Sequence, residues 1–173
     1  MSFSKIRAEN ELRYVSEYVA NNYPKNIVKL RCPLGTAPDS FIKEMGLSKA
    51  LRTYRPSRPE VDACVITNTN IIVIEGKIMK VMDGISKLII YRDLVPSTPE
   101  LVAYKSLPAL ALLITPKPPL WSKTIAEKHN IKIEIFKPDW IVEYYEKQEM
   151  YWSAEERLKR EGRKSTLRKM GYD

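Results

Sequence analysis

Apolar residues at Ala8, Leu12, Val15 and Val19 recur at intervals of four, three and four, which predicts an amphipathic helix over residues 4–22. Asn21-Asn22-Tyr23-Pro24 ends it. The stretch NIVKLRC, 26–32, then reads as a strand closed by Pro33-Leu34-Gly35, and a short helical pattern follows around 41–51. Residues 58–77, RPEVDACVITNTNIIVIEGK, hold two short apolar strands joined by Thr67-Asn68-Thr69-Asn70. Beyond them come a helix over 83–93, stopped by Pro96-Ser97-Thr98-Pro99, and the apolar run LPALALLIT, 107–115, which reads as a strand buried on both faces. A short helix over 122–129 with Ser122 as its N-cap, an alternating, half-exposed strand over 131–136 and a last helix capped by Asp139 complete the pattern.

The hairpin carries the chemistry. Residues two apart on a strand share a face, so Glu75 and Lys77 emerge side by side while Ile72, Ile74 and Ile78 point the other way. If the strands pair, Asp62 lies across from the Glu75 region, and three polar groups converge at one end of the sheet. Two hard carboxylates suit Mg²⁺ or Mn²⁺, and an ammonium beside them suits the charge on a phosphate. An exposed, salt-bridged strand end would leave the same local pattern.

Composition narrows the partners. The 173 residues carry a net charge of +8, a bias toward an anionic partner, of which nucleic acid is the commonest. A single histidine, His129, excludes His-rich zinc sites and leaves carboxylates as metal ligands; it reads as a helix C-terminal residue ahead of Asn130. Cys32 and Cys64 stand in apolar surroundings and read as reduced core thiols. With no apolar run of about eighteen residues and no signal-peptide core in MSFSKIRAEN, the expectation is a soluble, intracellular (cytoplasmic) protein without a membrane association.

Asp62, a spacer with one turn, and Glu75-Gly76-Lys77 resemble the PD-(D/E)xK nuclease signature, with Glu60-Val61-Asp62 in place of its first half and Pro59 displaced. The predicted succession matches that superfamily's α/β, restriction-endonuclease-like αβββαβ core, a central mixed sheet flanked by helices, here with a C-terminal helical extension. Glu11-Leu12-Arg13, Tyr23-Pro24 and residues 85–91 are similar to the nuclease modules of restriction enzymes and related phage or archaeal nucleases. The resemblance covers roughly 4–115. It implies a deoxyribonuclease in which Asp62, Glu75 and the Gly76 carbonyl hold Mg²⁺ or Mn²⁺ and Lys77 positions the attacking water. It also implies that Glu11 lends a third carboxylate and that Tyr91 stands near the scissile phosphate. Lys87 occupies the place of a usual glutamine, a departure that leaves the second helix's role open.

Further basic residues are candidate nucleic-acid contacts. Arg52, Arg55 and Arg58 form either a phosphate-gripping rim or a solvated loop, and Lys87 shares a helix face with Gly84 and Tyr91. After a nuclease domain over 1–152, residues 153–173 form a basic tail in which Arg163, Lys164, Arg168 and Lys169 follow Gly162 with no acid before Asp173. The aromatics from Trp140 to Trp152 read as core or dimer contacts ahead of base stacking. DNA is the expected partner, and a homodimer follows if both strands of a duplex are to be cut. Two other classes stay open: a nucleic-acid-binding or scaffolding module that keeps the fold without turnover, and a structural subunit.

Overall fold

In this computed structural model, residues 3–151 are described, with side chains from 10 to 145, and beyond them 158, 161–163, 165, 166 and 170. The hairpin forms where the turn chemistry asks for it. Thr67 Oγ1 accepts the Asn70 amide at 2.9 Å and the Thr69 amide at 3.3 Å, and the Thr67 amide donates to the Asn70 carbonyl at 2.9 Å. The flanking strands, β2 (Glu60–Ile66) and β3 (Ile71–Gly76), pair antiparallel from Ile66↔Ile71 to Ala63↔Ile74. Strand β1 (Ile27–Pro33) joins β2 antiparallel on the other side.

Strands β4 (Ala109–Thr115) and β5 (Ile131–Ile135) add in parallel to β3, giving a five-stranded mixed sheet in the order β1-β2-β3-β4-β5. Parallel neighbours need crossovers. These are supplied by α4 (Val81–Leu94) and α5 (Leu120–Lys128), while α1 (Phe3–Asn22) packs on β2 and β3. The αβββαβ succession is a restriction-endonuclease-like α/β core, with the site expected at the β2–β3 hairpin placed at one end of the sheet.

Apolar residues on the α4 side, among them Cys64, Ile71, Val73, Ile85, Leu88 and Leu113, form one buried cluster. Cys32 and Cys64 lie in it as free, buried thiols. On α1 the buried stripe is Tyr14, Val15, Tyr18 and Val19, wider than the apolar letters alone suggest because both tyrosines belong to it. Their hydroxyls have partners, as buried hydroxyls need: Tyr14 donates to the Phe136 carbonyl at 2.6 Å, and Tyr18 to Glu134.

Several local expectations shift. The helical pattern around 41–51 is two helices, α2 (Asp39–Met45) and α3 (Leu47–Tyr54), because Gly46 between them sits at φ 78°, a left-handed conformation that glycine adopts without a Cβ penalty. Ser122 is not an N-cap: α5 starts at Leu120 after Pro119, and the Ser122 hydroxyl donates back to the Pro119 carbonyl at 2.6 Å. Strand β4 is buried only from Ala111 onward, Leu110 being exposed. Asp139 is the first residue of α6 (Asp139–Tyr151). By contacts the chain divides into Met1–Phe136 and Lys137–Asp173, so α6 groups with the C-terminal stretch. No helix among the described residues is long and apolar enough to cross a membrane.

Candidate active site

Regular pairing of β2 with β3 stops at Ala63↔Ile74; continued by one step, the register would set Asp62 opposite Glu75. There the Gly76 amide, which has lost its place in the ladder, donates to Asp62 Oδ2 at 2.9 Å. A carboxylate thus completes the sheet where the strands part. Within a strand the N–H and C=O of one residue point to the same edge, so the Gly76 carbonyl also turns toward the β2 side.

Glu75 is fully buried, and its Oε1 takes two ammonium groups, Lys77 Nζ at 3.1 Å and Lys87 Nζ at 3.0 Å. Lys77, itself 5 % exposed, also reaches Glu11 Oε2 at 3.1 Å. Glu11 stands in line with Tyr14, Val15 and Tyr18 at helical spacing, on the face that α1 turns to β2 and β3. Asp62, Glu75, Lys77, Glu11 and Lys87 therefore form one cluster of three acids and two lysines.

Two glycines let the helices close on this cluster. A Cβ on Gly76 would sit 2.4 Å from Val15 Cγ2, and one on Gly84 would sit 2.6 Å from Leu113 Cδ1 and 2.8 Å from Lys77 Cγ. Real Cβ contacts are not that short. Gly76→Ala should therefore push α1 outward, destabilise the protein by about 1–3 kcal/mol and loosen the Glu11–Lys77 pair, as overpacking of a filled interior does. Denaturant unfolding of Gly76→Ala beside Gly162→Ala, where a Cβ meets nothing within 4 Å, checks it. Equal stability of the two would mean that α1 yields freely. Sequence reading placed Gly84 on the face of Lys87 and Tyr91 but gave it no role; its spacing from Lys87 was the available signal.

The electrostatics follow from burial. Desolvation, then the neighbouring Glu75 charge, push the Asp62 carboxyl up to about 6, against the Gly76 hydrogen bond and Lys77, which favour its charged form. Burial works to lower Lys77, but Glu75, Asp62 and Glu11 together outweigh it and hold the ammonium above its usual value. Lys87 is raised in the same way, with Glu75 overcoming desolvation. Tyr91 is buried in the apolar cluster on the α4 side, and its hydroxyl is raised by desolvation and then by the Glu75 charge.

These values have a stability consequence. A folded Asp62 that titrates near 6 binds its proton more tightly than the unfolded chain does, so it favours the fold below about pH 4, and that contribution is lost as pH rises through about 6. In chelator at pH 7.5, Asp62→Asn should therefore be more stable than the wild type by on the order of 1–3 kcal/mol, a gap that closes toward pH 4. Thermal melts across that range decide it. A destabilised Asp62→Asn at pH 7.5 would remove the premise that Asp62 is held at a disadvantage.

The donor set fits a divalent ion in one respect that the protein leaves unresolved. Glu75 Oε2 is buried without a hydrogen-bond partner among the described residues, a costly state for a carboxylate oxygen unless an ion or water meets it. Among the described residues no three His, Cys, Asp or Glu side chains are gathered as a ready cage. Mg²⁺ commonly takes one or two carboxylates and keeps several waters, so Asp62, Glu75 and a backbone carbonyl are a sufficient protein share.

Other expected contacts sit elsewhere. Arg58 is no phosphate rim: it is 6 % exposed, donates to the carbonyls of Pro33, Leu34 and Gly35, and forms a bidentate pair with Glu100 at 2.7 Å on both oxygens. Arg55 is exposed, 3.8 Å from Glu60, which also binds Arg31 at 2.7 Å. Arg163 is exposed, whereas Lys164, Arg168 and Lys169 lie outside the described residues.

No family model and no curated protein matches the chain. Among solved structures it is similar to the crystal structure of a repair endonuclease from Pyrococcus abyssi, with 17 % identity and a TM-score of 0.46, over 73 % of this chain and 46 % of that one. The chain spans less than half the length of that protein.

Proposed function

We propose that the chain is a divalent-metal-dependent nuclease of the PD-(D/E)xK kind, hydrolysing phosphodiester bonds in DNA. The observation that carries this reading is the convergence of Asp62, Glu75 and Lys77 where β2 and β3 part, with Glu75 Oε2 buried and unpartnered among the described residues. Asp62, Glu75 and the Gly76 carbonyl are the groups to hold Mg²⁺ or Mn²⁺. When bound, such an ion lowers the pKa of water and offsets phosphate charge. Lys77 orients the attacking water and opposes the charge that builds on the phosphate, and Glu11 fixes the Lys77 ammonium from the opposite side. Lys87, half-exposed beside Glu75, together with Arg55 and the basic tail (Arg163, Lys164, Arg168 and Lys169), supplies backbone contacts that position the strand without reading sequence.

A second reading has its own support. Lys77 and Lys87 both sit on Glu75 Oε1, so the cluster is partly charge-balanced without metal, as in a binding module that keeps the fold without turnover. Labelled single-stranded and duplex DNA incubated with the protein in Mg²⁺, in Mn²⁺ and in chelator tests the proposal. Cleavage only with metal supports it. Salt-sensitive DNA binding without metal-stimulated cleavage would hand the assignment to the second reading, and neither binding nor cleavage would sink both.

A further inference from the structure

The two edges of the sheet are built differently. At the β1 edge Arg31 adopts φ 49°, interrupting the ladder between Leu30↔Ala63 and Cys32↔Val61, and Pro33 ends the strand. A kink and a proline are devices by which edge strands avoid pairing with another chain. Strand β5, IKIEI, has neither, and no strand pairs beyond it among the described residues.

Its open side is ready to bond. The Phe136 amide donates to the Thr115 carbonyl at 3.2 Å, so backbone groups of the even positions turn toward β4, and those of Ile131, Ile133 and Ile135 turn outward. The side chains complete the picture. Lys132 and Glu134 share one face, 2.6 Å apart, while Ile131, Ile133 and Ile135 line the other face beside a groove of about 420 Å³ shared with Pro118, Lys123 and Ala126 of the α5 region. Ile135 is 63 % exposed.

We propose that the partner for this edge is a second copy of the chain, its β5 added antiparallel about a twofold axis through Ile133. The strand is complementary to itself in that register and in its charges. Ile133 meets Ile133 of the partner subunit and Ile131 meets Ile135 of the partner subunit, all as hydrogen-bonded pairs, because these residues carry the outward amides and carbonyls. Lys132 then falls opposite Glu134 of the partner subunit, and Glu134 opposite Lys132 of the partner subunit, in the closer, non-hydrogen-bonded positions where opposite charges attract. An axis perpendicular to the sheet keeps each face on its own side, so the isoleucine rows join along the groove. A self-complementary patch of this kind is what a twofold interface requires. The inference does not depend on the nuclease reading.

Light scattering on the full chain over a concentration series tests it, with thermal melts to confirm folding. The wild type should dimerise, and Lys132→Glu, which sets like charges opposite each other at both symmetric positions, should weaken the dimer about tenfold or more. Lys132→Glu combined with Glu134→Lys should restore it. Ile133→Cys should form a disulfide between copies on mild oxidation, since Cα atoms of a hydrogen-bonded pair lie about 5.5 Å apart. A monomeric wild type, an unweakened Lys132→Glu dimer, a charge swap that fails to restore association, or no cross-link through Ile133→Cys would each overturn the proposal.

Discussion

Asp62→Asn, Glu75→Gln and Lys77→Ala should each lower metal-dependent DNA cleavage by at least about a hundredfold, or about 2.7 kcal/mol of transition-state stabilisation, while leaving the sheet folded. The size follows from geometry. Lys77 is paired with the buried Glu75, and Asp62 is fastened to the Gly76 amide between them, at a point with little water, where a misplaced charge is poorly replaced by solvent. Glu11→Gln should behave differently: it touches Lys77, so it should raise the Mg²⁺ concentration needed for half-maximal rate more than it lowers the saturated rate. Single-turnover cleavage against a Mg²⁺ titration separates the two effects. Full activity in all three first-named variants would place the reaction elsewhere in the molecule.

The largest loss of stability is expected from Arg58→Ala, about 3–5 kcal/mol, because a buried guanidinium that serves several partners leaves all of them unmatched when it is removed. Glu100 loses its bidentate partner and the carbonyls of Pro33, Leu34 and Gly35 lose their donor, so the end of β1 comes free of the short 3-10 helix Pro99–Tyr104 that carries Glu100. Burial alone would raise the Glu100 carboxyl, yet the guanidinium holds it below its usual value, a sign of how strongly the pair is coupled. Arg55→Ala, at an exposed position, should leave stability within about half a kcal/mol. Urea unfolding of the two variants is the measurement. A mild effect at Arg58 would mean that the β1 terminus holds through its apolar contacts.

What the sequence disclosed was what local period encodes. Two-residue alternation puts Glu75 beside Lys77, a four-residue turn sets Asp62 across from them, and helical spacing puts Gly84, Lys87 and Tyr91 on one face of α4; each of these relations spans fewer than about twenty residues. Arg58 was misread for the opposite reason. RPSRPE looks like any basic loop, and its partner Glu100 lies 42 residues further on, where nothing in the local pattern names it. Glu11 was found, but its position within the buried stripe was hidden because tyrosine is a weak apolar signal, and Tyr14 and Tyr18 define that stripe as much as Val15 and Val19 do. The break at Gly46 needed a backbone angle, not a hydrophobic count.

The hydrogen bond from the Gly76 amide to Asp62 gives the protein an internal gauge. That amide is held by a side chain rather than by the ladder, so its protection against hydrogen exchange depends on where one carboxylate is turned. If Asp62 rotates to share an ion, the Gly76 proton loses its acceptor and exchanges faster, while the Ile74 amide, inside the regular pairing of β3, keeps its rate. A single backbone resonance thus reads the occupancy of the site without substrate, label or turnover.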